Sequence, residues 1–167
     1  MEPKIMERIV VVWLGGTAPY WHSASEFNLK QDLHATRLLF DSGVPLVHVP
    51  CRPVSSHLLT SLPEIERYVK GQGPLGDYLA QVYLECMADH FGNSRVIWDI
   101  AVIAWLLDPT WVPSRLTHSP VLTDQVTYSV DTSRHFVRTA IGVSRDAIFG
   151  DLFRKIARHA RNEVSRT

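Results

Sequence analysis

The chain has 167 residues, 46% of them hydrophobic and 20% charged, the balance of an ordinary globular protein with a single domain as the expected organisation. Its 17 basic and 17 acidic residues cancel, and basic residues cluster only near Arg154 to Arg161, so nothing marks a nucleic-acid binder. Cys51 and Cys86 have neither CxxC spacing nor the density of a disulfide scaffold, no secretion leader is legible and no apolar run reaches the ~20 residues of a membrane helix; the expectation is a cytoplasmic protein with two free thiols and no membrane partner.

Ile9 to Leu14 (IVVVWL) is a β-branched apolar run stopped by Gly15-Gly16, which predicts a parallel strand buried on both faces. A polar and aromatic loop continues to residue 31. Asp32 then caps a helix with apolar Ala35, Leu38 and Leu39, ended by Gly43, and Val44 to Val49 supplies a second strand, completing a βαβ unit. Ser61-Leu62-Pro63-Glu64 starts a short helix to about Lys70, GQGPLG at 71 to 76 reads as a loop, and Asp77 to His90 shows one apolar helix face at 79, 82, 83, 86 and 87. Val96 to Trp98 is an entry segment to a buried helix, Ile100 to Leu107, with Asp99 as its cap and Asp108-Pro109 as its stop. Alternating Val126, Tyr128 and Val130, a turn at Asp131-Thr132-Ser133 and an extended Phe136 to Ile141 predict a hairpin or edge pair, and Ser144 caps a last amphipathic helix.

Common catalytic signatures are absent: there is no GxSxG, HExxH, phosphate loop or paired CxxC, and the eight histidines do not fall at metal-ligand spacings. Two segments remain. Glu26 and Asn28 flank Phe27; in an extended segment they share one side and can offer acceptors and donors to a polyol, or they can simply hold the loop through local hydrogen bonds. Asp99 is an N-cap by position, yet it also stands at the C-terminal end of an expected strand, where open α/β sheets place their ligands.

IVVVWLGG, then Glu26-Phe27-Asn28 ten positions after Gly16, then Asp32 four after Asn28, then Ala35, Val44 to Val49, and Asp99 before an apolar helix closed by Asp108-Pro109, resembles the C-terminal portion of the inosine-uridine-preferring nucleoside hydrolases. The resemblance implies an α/β fold: part of an open, doubly wound, Rossmann-like and mainly parallel sheet, with a C-terminal hairpin and helix. It implies hydrolysis of the N-glycosidic bond of ribonucleosides, in which a calcium ion activates water and an aspartate takes its proton. By the same resemblance Glu26 holds the ribose 5′-hydroxyl, Asn28 binds another ribose hydroxyl, and Asp99 is a calcium ligand that also contacts the sugar.

Several family features are missing from these 167 residues. The aspartate-rich DxDxGxDD loop and a TGPLTN-like segment, sources of most calcium ligands and of the base, do not occur. Calcium takes roughly six to eight oxygens, so Asp99 by itself predicts no tight calcium site and no nucleosidase activity for the chain alone. Trp98 occupies the place where many members have a histidine that protonates the leaving base; an indole cannot be that acid, but it can stack on a nucleobase or serve the core. Tyr83 and His90 are the alternative acids. A GNxT segment before EFN is replaced by Thr17 to Ser25. The expected partners are a ribonucleoside and either further copies of the chain or a separate N-terminal half, whose absence would leave an exposed sheet edge and apolar patches. The rival reading is a non-catalytic subunit that binds a ribose-like ligand.

Overall fold

The computed structural model of the chain describes residues 3–164. After a 3-10 turn at Pro3–Glu7 come β1 (Val11–Leu14), α1 (Phe27–Gln31), α2 (Leu33–Asp41), β2 (Leu46–Val49), a 3-10 turn at Ser55–His57, β3 (Leu59–Ser61), α3 (Leu62–Tyr68), α4 (Gly73–Glu85) and β4 (Ser94–Val96). The remaining elements are α5 (Ile100–Leu107), a 3-10 turn at Pro109–Trp111, β5 (Ser114–His118), β6 (Val121–Leu122), β7 (Tyr128–Ser129), β8 (Phe136–Ala140) and α6 (Arg145–Val164). They fall into two compact units, one formed by residues up to His57 together with Trp98–Val143, the other by Leu58–Ile97 and the residues from Ser144 onward.

The first unit is a mixed α/β layer. Its sheet has the order β1-β2-β8-β5, parallel from β1 through β8, with β5 antiparallel at the far edge. Asp32 caps α2 as its sequence predicts, accepting from the Ala35 N–H at 2.9 Å. Phe40 projects from α2 into an aromatic cluster with centroids 5.7 Å from Trp13, 5.5 Å from His48 and 6.0 Å from Tyr128, all near edge-to-face. The end of α2 is held from a distant part of the chain: the Ser119 hydroxyl and the Arg134 guanidinium both donate to the Phe40 carbonyl, at 2.6 and 2.8 Å, and Arg134 pairs with Asp41. Cations and donors at a helix C-terminus satisfy carbonyls that have no partner within the helix.

The second unit packs α3, α4 and α6 around Ile65, Val69, Ala80, Tyr83 and Ile156, beside the antiparallel pair β3–β4. Ser61 begins α3 as expected, and the Glu64 carboxylate reaches back to accept from the Ser61 N–H at 3.3 Å.

Five expectations are corrected. The last four residues of GQGPLG open α4, because Pro74 suits a first helical turn in which its missing N–H costs nothing. That helix ends at Glu85 and buries Gly76, Ala80 and Tyr83, leaving Leu79 and Val82 exposed. The predicted hairpin pairs differently: β8 lies inside the sheet between β2 and β5, while β7 pairs with β6 across a turn where Val126 takes a φ of 56° and Thr123 bonds Thr127. The α5 helix is not buried all round, since Ala101 and Ala104 are covered but Ile103, Leu106 and Leu107 are exposed. In the same way β1 is an edge strand, only half-buried until Leu14.

Phe40 is fully buried and touches most of the aromatic cluster, so Phe40→Ala is expected to cost about 3–5 kcal/mol of unfolding free energy, read from urea denaturation.

Candidate functional site

The site starts from the double glycine that ends β1. A Cβ on Gly15 would stand 2.2 Å from the Trp13 ring, and a Cβ on Gly16 would stand 2.3 Å from the Tyr128 hydroxyl, at a backbone φ of +61° that favours glycine on its own account. Two aromatic side chains therefore close over bare backbone, and the chain can turn sharply at the strand's C-terminal end.

Glu26 sets the course of the chain beyond that turn. Its carboxylate accepts from the Gly16 N–H at 2.8 Å, the Asn28 N–H at 3.0 Å and the Leu29 N–H at 3.2 Å. The segment expected to be extended is thus a helix start, with Glu26 in extended backbone as the N-cap and Phe27–Gln31 helical; the cap bonds from Asn28 and Leu29 are the reason. Asn28 donates its side-chain amide to the Leu14 carbonyl at 3.1 Å. Glu26 and Asn28 come together, though by helix capping and not by the two-residue period of a strand.

Asp99 stands at the N-cap of α5 in αR backbone and makes no side-chain cap, so its carboxylate is exposed and does not serve the helix as expected. Trp98 is half-buried. Both line, with Glu26, Asn28 and Phe27, a single cavity of about 900 Å3 in the first unit. Further lining residues that the sequence did not single out are Lys30, Gln31, Cys51 and Arg52. The first two become legible once residues 27–31 are seen to be helical, and the last two come just after β2, at the strand end where open α/β sheets bind ligands.

Tyr83 and His90 are not part of this cavity. Both belong to the second unit, where the Tyr83 hydroxyl donates to the Thr60 carbonyl at 2.9 Å and a His90 ring nitrogen bonds the Leu84 carbonyl at 3.1 Å. Among the described residues no three His, Cys, Asp or Glu side chains are grouped to hold a metal ion.

The electrostatics below the cavity are set by burial. Cys51 is buried beside Glu26, and desolvation together with that carboxylate pushes its thiol well above the usual range, which keeps it protonated and unreactive. His48 is fully buried, stacks on Trp13 at 5.5 Å and bonds the Gly15 carbonyl through Nε2 at 2.8 Å. A carbonyl only accepts, so Nε2 carries a proton, and full burial disfavours adding a second one at Nδ1. Desolvation lowers its pKa from 6.5 to about 4 against the weaker opposing effects of Gly15 and Glu26.

Because the folded pKa lies below the unfolded one, the unfolded chain takes up a proton that the folded chain refuses as pH falls from 6.5 to about 4. Stability should fall by about 3 kcal/mol across that window. Urea titrations at several pH values are expected to show this slope in the native sequence and to lose it in His48→Phe.

A family model described as inosine-uridine preferring nucleoside hydrolase matches residues 1–160. Among curated proteins, the pyrimidine-specific ribonucleoside hydrolase RihB of Escherichia coli strain K12 / DH10B is 27% identical over 117 residues, which is 68% of this chain and 37% of that protein. Among solved structures, the purine-preferring ribonucleoside hydrolase from Gardnerella vaginalis superposes with a TM-score of 0.71 at 20% identity, over 95% of this chain and 55% of that one. The inosine-uridine preferring nucleoside hydrolase from Bacillus anthracis gives a TM-score of 0.72 at 18% identity, over 93% and 54%. The chain thus spans about half the length of these solved relatives, and the α/β fold is the one they share.

Proposed function

Because the chain belongs to the inosine-uridine preferring nucleoside hydrolase family, we propose that it supplies the sugar-binding part of a site that cleaves the N-glycosidic bond of ribonucleosides. The observation that carries this reading is the convergence of Glu26, Asn28, Trp98 and Asp99 on one cavity.

The groups left over after folding suit a sugar. Oε1 of Glu26 accepts from one backbone donor, the Asn28 N–H, and a ribose hydroxyl, a stronger donor than the Cys51 thiol that also bonds this carboxylate, would take its remaining acceptor position. Asn28 spends one amide hydrogen on Leu14 and retains the other, together with its Oδ1. The half-buried Trp98 and exposed Phe27 offer ring faces to a planar base. Neither can donate a proton with a useful pKa, so these residues position the leaving base without protonating it.

Calcium is the cofactor that the family implies. Asp99 would supply one carboxylate to such an ion, and the other described residues do not complete its coordination. The open edge of β1 and the exposed apolar side of α5 support pairing with a polypeptide that carries the remaining strands of the domain, encoded with this chain or apart from it. The lone Asp99 carboxylate also favours a second reading, a subunit that binds ribose-like ligands without cleaving them.

Calorimetric titration with inosine and uridine, followed by a ribose-release assay on the chain combined with the aspartate-rich segment of the family and calcium, separates these readings. Saturable binding that Asn28→Ala weakens by about tenfold or more, and ribose release that falls in parallel, is the expected result. Binding without release establishes the non-catalytic reading, and the absence of both sinks the proposal.

A further inference from the structure

The basic residues of α6 take no part in the cavity above. In the second unit, Arg154 joins Arg67, Arg145, Tyr68, Phe149 and Phe153 around a separate groove of about 460 Å3 lined by α3 and α6. The three arginines are not equivalent. Arg145 is fully engaged: Nη2 donates to both Glu64 oxygens at 2.6 and 2.5 Å, Nη1 to Asp146 at 3.0 Å and Nε to the Leu59 carbonyl at 3.0 Å, and its guanidinium lies 4.5 Å above the Phe149 ring. Desolvation alone would raise the Glu64 carboxyl, but the hydrogen bonds from Arg145 and Thr60 hold it below its usual range. This pair is a fixed wall.

Arg67 and Arg154 have no acidic partner among the described residues. Arg154 folds back over Gly150, where an added Cβ would stand 3.3 Å from Nη1 and 3.6 Å from Nη2, so the glycine gives the guanidinium space to lie against the helix. Tyr68 stacks on Phe153 at 5.1 Å with an interplanar angle of 18° and stays 47% exposed. The groove therefore combines two uncompensated guanidinium groups with an exposed aromatic ring. A guanidinium fork matches the oxygens of a phosphate, and a tyrosine ring offers a stacking surface to any nucleobase.

We propose that this groove binds a nucleoside monophosphate, with the phosphate between Arg67 and Arg154 and the base against Tyr68. The site shares no residue with the ribose-facing cavity and stands or falls independently of it. The test titrates the full chain with AMP and, separately, with inorganic phosphate, following the arginine Nε–H resonances by NMR, and repeats this with Arg67→Ala, Arg154→Ala, Arg154→Lys and Asn28→Ala. The proposal expects AMP to saturate with Kd of about 1 mM or tighter. Each alanine variant in the groove should weaken it by about tenfold while leaving the circular-dichroism spectrum unchanged, with Arg154→Lys recovering only part of the loss. Inorganic phosphate should bind more weakly than AMP, and Asn28→Ala should leave the AMP response of the arginine Nε–H resonances as it is in the native chain. The proposal is overturned if AMP does not bind, if phosphate binds as tightly, if the groove variants bind AMP normally, or if Asn28→Ala removes the binding.

Discussion

A single carboxylate holds the turn from β1 into α1. Glu26 gathers the N–H groups of Gly16, Asn28 and Leu29, which joins the end of the strand to the start of the helix and closes the intervening loop over its own ends. The turn is possible because Gly15 and Gly16 leave space for Trp13 and Tyr128, and those rings in turn complete the cluster around Phe40 and His48. Core packing and site geometry are therefore one construction. A side chain at either glycine would meet the rings that pack the sheet.

The same turn fixes the side chains of the proposed sugar site. Asn28 ties the Leu14 carbonyl with half of its amide, and Glu26 is anchored by three charge-assisted hydrogen bonds before any ligand arrives. Binding then spends little on ordering these side chains, since their rotamers are already set. Asp99 is the contrast: exposed and without a cap bond, it contributes charge to the cavity without a structural role in its helix. Cys51 contributes neither charge nor nucleophilicity, because burial beside Glu26 keeps its thiol protonated.

Local chemistry was legible where one residue decides the outcome. Asp32 and Ser61 mark the starts of α2 and α3, and the β-branched runs mark β1 and β2. The family order of Glu26, Asn28 and Asp99 located three residues that do share a cavity. What failed depends on contacts distant in sequence or on packing. The short α1 has no periodicity to read over Phe27–Gln31, and it exists because Glu26 caps it. The pairing of β8 with β2 and β5 is a choice of partners across the chain, which alternation in Val126 to Val130 cannot reveal. The apolar text of α5 reads as buried on all sides, although burial requires neighbours that Ile103, Leu106 and Leu107 do not have among the described residues.

If Glu26 and Asn28 form a preorganised sugar site, the Asn28 side-chain amide reports on it directly. Its resonances should move saturably when inosine is titrated into the isotopically labelled chain, and the movement should vanish in Glu26→Ala, which removes the cap that sets Asn28 in place. An Asn28 amide that stays unmoved while inosine binds elsewhere on the chain would mean that these two residues serve the turn alone.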